Sequence, residues 1–182
     1  MNRKIWKSGE HSKDEAKHLL ASLFAIELTN PGTCIWIVAP WVSDIDVIDN
    51  SAGTFPVLNE FGPRWIKLSE VLVVLAELGT CVVVAVSAEG AKSTEHFLRR
   101  IRRLFKERLV ESQLVVYIDE TKRLHEKAIT SDDYLVDGSM NFTYNGVAVR
   151  SETLELHTDP NVVLQARMAA FDRFGGKLDS EN

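Results

Sequence analysis

Residues 125–141 read His-Glu-Lys-Ala-Ile-Thr-Ser-Asp-Asp-Tyr-Leu-Val-Asp-Gly-Ser-Met-Asn, which gathers an imidazole, an ammonium, a hydroxyl and a carboxamide into one short span. In extended backbone successive side chains alternate faces, so His125 and Lys127 point one way and Glu126 and Ala128 the other. An imidazole beside an ammonium suits a phosphodiester: the ring attacks phosphorus or passes a proton, and the cation offsets charge on the non-bridging oxygens. Residues 134–136 form a second short strand that runs into Asp137-Gly138-Ser139, a turn signal. Gly138 permits positive φ or close backbone approach, and Ser139 and Asn141 follow as hydrogen-bond donors to an anion. Taken as a pair, His125 and Lys127 read more readily as a core histidine and an edge-strand lysine. The ordered set with Gly138, Ser139 and Asn141 is what favours a phosphate site.

His125-x-Lys127, then Asp132 after four residues, then Gly138-Ser139-x-Asn141 resembles the HKD signature of the phospholipase D superfamily. Phe142-Thr143 continues it as in the superfamily's small bacterial nucleases, and Glu152, eleven positions after Asn141, falls where those nucleases carry a glutamate that orients the histidine. Five residues separate Asp132 from Gly138 where the usual pattern has six, which leaves Asp133 competing with Asp132 for the aspartate's place. The motif spans about a tenth of the chain, and the order of elements around it extends the resemblance more weakly over the rest.

Those residues must be held by a fold, and 182 residues suit a single domain, here 1–182, able to bury its own core. With 45% hydrophobic and 26% charged residues the composition is that of an ordinary globular protein. No apolar run reaches the roughly 18 residues of a membrane span, and the basic start lacks the apolar stretch of a signal peptide. We therefore expect a cytoplasmic protein without a membrane partner. Cys34 and Cys81 open two apolar runs and are expected to be buried, reduced thiols, neighbours in one sheet. The histidines show no zinc spacing, so no metal or other cofactor is expected; the resemblance agrees, since phosphohistidine chemistry in that superfamily generally needs none.

Along the chain, a capping-box pattern at Ser12 and Glu15 introduces an amphipathic helix over 13–28, stopped by Asn30-Pro31-Gly32. Residues 34–42 are a buried strand, at whose end Trp41 and Ser43 are candidates for a pocket mouth, because ligand crevices lie at the carboxyl ends of strands in open α/β sheets. Residues 44–63 read as a long irregular loop, 64–78 as a buried helix, and 81–87 as a strand. Residues 92–109 form a helix, 114–118 and 153–156 strands, and 160–174 a closing helix with proline at its start. The alternation predicts an α/β/α sandwich around a mixed, largely parallel sheet.

One element stands apart in charge. Residues 92–108 hold seven basic residues against two acidic, a net of +5 in a chain of net −5, so the remainder carries about −10. Arg99, Arg102 and Arg103 on this helix are candidate contacts to a phosphate backbone, although a solvated face or a dimer contact has the same composition. The pI of 5.6 argues against indiscriminate DNA binding.

The chain contains one complete signature and no internal repeat. Two-step transfer through a phosphohistidine needs a nucleophile and an acid on opposite sides of the phosphorus, so a second imidazole is required. The resemblance implies where it comes from: small single-motif members are homodimers whose motifs meet across a two-fold axis. On that reading His125 is nucleophile in one subunit and acid/base in the other, Lys127 and Asn141 hold phosphate oxygens, and Ser139 supports the oxyanion. Glu152 orients the imidazole, and Asp132 is a structural partner near the motif. The expected activity is a metal-independent phosphodiesterase or nuclease acting on DNA or RNA, within or outside a larger bacterial defence or DNA-modification complex. The alternatives are a phospholipid phosphodiesterase and a non-catalytic dimeric subunit.

Overall fold

The structure, a computed structural model, describes residues 2–6, 13–90, 92–149 and 152–178. Its centre is a seven-stranded sheet in the order β1-β9-β8-β7-β2-β5-β6. These strands are β1 (Asn2–Trp6), β2 (Cys34–Val38), β5 (Cys81–Ser87), β6 (Leu114–Asp119), β7 (Ala128–Thr130), β8 (Leu135–Gly138) and β9 (Thr153–His157). Helices α1 (Lys13–Thr29), α2 (Leu68–Glu77) and α3 (Lys92–Glu107) cover one face, and α4 (Pro160–Phe174) packs on the other. This is the expected α/β/α sandwich on a mixed sheet, but parallel pairing is confined to β2–β5 and β5–β6. The other four pairings are antiparallel, so the sheet is less parallel than the alternation of elements suggested. For one pair the reason is local: β7 and β8 are joined by only the four residues 131–134, too few for a crossover helix, so they must be antiparallel neighbours.

Periodicity explains the two layers. In β2 and β5, Ile35, Ile37, Val82 and Val84 face α1–α3, while Cys34, Trp36, Cys81 and Val83 face α4. Both strands are buried throughout, as a central strand with helices on each side must be. Cys34 lies opposite Cys81 in the parallel register, and both are free, buried thiols. On α3, Phe97, Ile101 and Phe105 recur at helical spacing and are fully buried, each worth roughly 1.5–3 kcal/mol. Asp159 caps α4 by accepting from the Asn161 and Val162 N–H groups, with Pro160 in the first turn.

Several boundaries differ from expectation, among them that of β7, which begins at Ala128 and leaves His125 and Lys127 outside any strand. The segment read as one helix over 64–78 begins with a strand, β4 (Trp65–Lys67), before α2. The segment read as an irregular loop holds its partner β3 (Asp46–Asp49) and a 3-10 turn, Pro56–Phe61. The strand expected over 34–42 ends at Val38, and Val42 makes an isolated parallel bridge to Phe142. The cap expected at Ser12 lies outside the described residues.

Arg100 fixes α3 to this framework. Its guanidinium contacts Asp44 at 2.9 Å and Glu70 at 2.5 Å, and Arg64 reaches the same Glu70 at 2.9 Å. Burial alone would raise the Glu70 pKa. Hydrogen bonds from Arg64 and the Lys67 N–H, with the charges of Arg64 and Arg100, outweigh it and hold the carboxyl below its usual range.

Candidate active site

Strand register brings the site segments to one end of the sheet. β7 runs antiparallel to β2 with Ala128 opposite Val38, so residues 125–127 lie at the carboxyl end of β2. β8 pairs with β7 through Ala128 and Asp137, and therefore delivers Ser139 and Asn141 to that same end. β9 pairs with β8 through Gly138 and Leu154, so Glu152 enters there too.

Backbone hydrogen bonds stitch these segments together. Ser43 N–H donates to the Phe142 carbonyl at 2.8 Å, and Trp41 N–H donates to Asn141 Oδ1 at 3.4 Å. Val42 N–H donates to the Thr94 hydroxyl at 3.2 Å, which ties the start of α3 to the same locus. With its oxygen turned to Trp41, the Asn141 carboxamide keeps two N–H donors for an anion. The result is a cavity of about 270 Å³ bounded by Trp41, Ser43, Ser93, Asn141, Tyr144 and Glu152.

Ser139 stands behind Glu152. Its hydroxyl donates to Glu152 Oε2 at 2.5 Å and accepts from the Thr153 N–H at 3.0 Å. Gly138 makes this possible: at φ +151° an added Cβ would sit 2.0 Å from the Thr153 carbonyl oxygen. Gly146, in the π turn Asn145–Val149, is equally confined, since a Cβ there would meet the Asn141 carbonyl at 2.1 Å.

His125 is exposed at the end of the loop that follows β6. Asp119 anchors that loop, its carboxylate accepting from the Thr121 hydroxyl and from the Thr121, Arg123 and Leu124 N–H groups. The Thr121 hydroxyl and these three backbone donors keep the Asp119 carboxyl below the usual carboxylate range. The Lys127 ammonium donates to the carbonyl oxygen of His125, and Lys127 borders a second depression, about 380 Å³, beside α4.

The structure thus brings Trp41, Ser43, Asn141 and Glu152 around one cavity, with Ser139 one hydrogen bond behind. It holds His125 and Lys127 at the same end of the sheet without lining that cavity. Asp132 lies at the opposite end of β7, where Thr33 N–H donates to it at 2.6 Å and Arg167 pairs with it at 2.8 Å. Its neighbour Asp133 is exposed, so of the two aspartates it is Asp132 that is tied into the fold by these contacts. Arg99, Arg102 and Arg103 lie on the exposed face of α3, the helix whose first turn supplies Ser93.

Ser93 and Tyr144 were not singled out from sequence. The signal for Tyr144 was its place in Thr143-Tyr144-Asn145-Gly146, directly after Asn141 and ending in an Asn-Gly turn pair. Ser93 had only its position at a helix start. Among the described residues no group of three or more His, Cys, Asp or Glu side chains converges as a metal-ligand set, and no helix is long and apolar enough to cross a membrane.

No family model matches the sequence, and no curated protein matches it. Solved structures do. Nuc from Salmonella typhimurium, a phospholipase D family member, is similar at a TM-score of 0.63 and 16% identity over 100% of this chain and 99% of that one. NucT from Helicobacter pylori is similar at a TM-score of 0.58 and 14% identity over 94% of each chain. The phosphatidylserine synthase of Haemophilus influenzae Rd KW20 is similar at 0.61 and 18% identity, covering 94% of this chain and 37% of that one. At such identities the likeness is one of fold, and it extends over the whole length of the first relative: the chain has the phospholipase D fold.

Proposed function

We propose that this protein is a phosphodiesterase that cleaves nucleic acid through a phosphohistidine formed on His125. The observation that carries the reading is the convergence of the signature on the cavity end of the sheet. Asn141 offers amide donors to the cavity, Glu152 is held at its wall by Ser139, and His125 and Lys127 stand at the same end. That the fold is shared with Nuc and NucT supports a phosphodiester substrate.

In the first step His125 attacks phosphorus, a nitrogen–phosphorus bond forms, and the leaving oxygen departs with a proton supplied by a second imidazole. In the second step that imidazole takes a proton from water, whose oxygen displaces His125 and releases the phosphate monoester. Asn141 and Lys127 stabilise charge on the non-bridging oxygens, for which the Lys127 ammonium must leave the His125 carbonyl. Glu152 orients the ring. With its hydroxyl donating to Glu152, Ser139 acts through that carboxylate and not as an oxyanion donor.

The second imidazole is assigned to the partner subunit's His125 in a two-fold homodimer. The exposure of His125 supports this, since a ring at the cavity end but outside the cavity wall is free to meet a second copy.

The test is hydrolysis of a chromogenic phosphodiester and of DNA and RNA oligonucleotides in EDTA by wild type and His125→Ala. Cleavage by wild type alone is the expected result; loss of wild-type activity in EDTA overturns the metal-free mechanism, and equal activity of both proteins overturns the role of His125. Reassembling wild type with excess His125→Ala should depress activity below the wild-type fraction, because every mixed dimer lacks one imidazole. Strict proportionality would remove the shared site.

A further inference from the structure

The solvent face of α3 is a basic track that begins at the candidate cavity. Ser93 lines the cavity; Lys92, His96, Arg99, Arg103 and Lys106 then recur at intervals of three and four residues, the spacing of one helical face. From Lys92 to Lys106 this face is about 21 Å long, enough to accompany several successive phosphates. His96, Arg99, Arg100 and Arg103 border a shallow groove of about 270 Å³ along it.

The arginines of this helix divide into two sets. Arg100 is neutralised by Asp44 and Glu70, and Arg108 by Glu60 and Glu77. Among the described residues Arg99 and Arg102 have no carboxylate partner, and Arg103 has only the exposed i,i+4 contact to Glu107 at 3.7 Å, worth little in water. A solvated face laced with acids would have consumed these charges, as it has consumed those of Arg100 and Arg108.

A second observation points to the same ligand. Two aromatic rings stand exposed at the cavity, Trp41 at 41% and Tyr144 at 69% of their surface, and the Trp41 indole is pinned by donating to the Glu89 carbonyl at 3.2 Å. Exposed aromatic faces beside a cationic groove are how proteins hold unpaired bases while tracking a phosphate backbone. Duplex DNA keeps its bases stacked inside and offers nothing to such rings.

We infer that the protein takes single-stranded nucleic acid, with bases stacked on Trp41 and Tyr144 at the cavity and the flanking phosphates led along Arg99, Arg103 and their neighbours on α3. It rests on the phosphodiesterase reading only for the fate of the strand in the cavity; the track itself is a binding surface.

Fluorescence anisotropy with single-stranded and duplex oligonucleotides, in EDTA and in a His125→Ala background that keeps the strand intact, tests it. Single strands should bind more tightly than duplexes of equal length. Replacing Arg99 and Arg103 with Gln should lower the slope of log affinity against log salt by about 1.4, at about 0.7 per lost single-strand phosphate contact. Tyr144→Ala should weaken single-strand binding about tenfold, equally at low and high salt, because stacking is not screened. Arg173→Gln, a basic residue of α4 outside the track, should leave both quantities unchanged. An unaltered salt slope in the double variant, a preference for duplex, or no oligonucleotide binding at low salt overturns the inference, the last in favour of an acidic protein partner for α3. Hydrolysis of the small chromogenic phosphodiester is read separately on wild type: if it persists while strand binding fails, the track falls and the chemistry stands, and in the reverse case the chemistry falls alone.

Discussion

Ser139 and Glu152 form a closed pair at the cavity wall, the hydroxyl donating to the carboxylate at 2.5 Å while the Thr153 N–H donates to the same hydroxyl at 3.0 Å. The serine is held from both sides, so its effect on chemistry passes through the carboxylate it steadies. Ser139→Ala should lower kcat on a chromogenic phosphodiester roughly tenfold, a fraction of what proton-transfer groups contribute, and leave KM within about twofold. A fall in KM and kcat together, or no change in kcat, would detach Ser139 from the catalytic apparatus.

Asp119 does for the 119–124 loop what Ser139 does for Glu152. Its carboxylate gathers donors from three residues of the turn just before His125, namely Thr121, Arg123 and Leu124. Because these hydrogen bonds favour the ionised form, the folded-state pKa is depressed. The stability so contributed is complete above the ordinary aspartate value of about 3.9 and is lost as pH falls through the lower folded value. Asp119→Asn should therefore flatten the decline of Tm below about pH 4 relative to wild type. At neutral pH, Asp119→Ala should release the loop and lower kcat roughly ten- to a hundredfold through displacement of His125. A wild-type acid profile in the Asn variant would refute this role for the carboxylate.

Elements whose burial is written in local periodicity were legible: α1, β5, α3 and α4 lie where their apolar spacing puts them, and β2 begins where expected although it ends at Val38. What remained hidden depends on pairing at a distance. β3 offers only Val47 and Ile48 between two aspartates, and it is a strand because β4 lies beside it. β1 buries Ile5 and pairs with β9 some 150 residues later, a partnership no short window contains. The site divides in the same way. Asn141, Ser139 and Glu152 were legible because β8 and β9 are consecutive and the motif spans their turn. Ser93 and Tyr144 reach the cavity through the Val42–Thr94 and Val42–Phe142 contacts, which join segments about 50 and 100 residues apart. The alternation that set Lys127 beside His125 was a backbone rule, and it did not fix the ammonium, which turns back onto the His125 carbonyl.

Gly138 links fold and site through close backbone approach. The Thr153 carbonyl oxygen that an added Cβ would meet at 2.0 Å is also the acceptor for the Ser139 N–H at 3.1 Å. Gly138→Ala must therefore push β8 from β9 at the point where both enter the site, besides adopting an unfavourable φ. We expect a loss of about 2–4 kcal/mol in denaturant unfolding, from strain and overpacking together. Hydrolysis per folded molecule should fall as well. A variant of wild-type stability would mean that β8 and β9 part there without resistance.

Asp132 presents the opposite case, a residue of the signature that works far from the cavity. It accepts the Thr33 N–H at the start of β2 and pairs with Arg167, itself 8% exposed, so one carboxylate clamps the β7–β8 turn to the sheet and to α4. Asp132→Asn keeps an acceptor for Thr33 but removes the negative charge that faces the Arg167 guanidinium at 2.8 Å in a largely dry setting. Breaking such a pair from one side is strongly destabilising, and a loss of about 3 kcal/mol should appear as a lower denaturant midpoint with the m-value unchanged. His125→Ala should do the reverse, abolishing turnover at wild-type stability, because that ring is exposed and packs against nothing in the core. If Asp132→Asn instead abolished turnover without moving the midpoint, the carboxylate would have to act on the site across the length of β7, and the division between clamp and chemistry drawn from its contacts would fail.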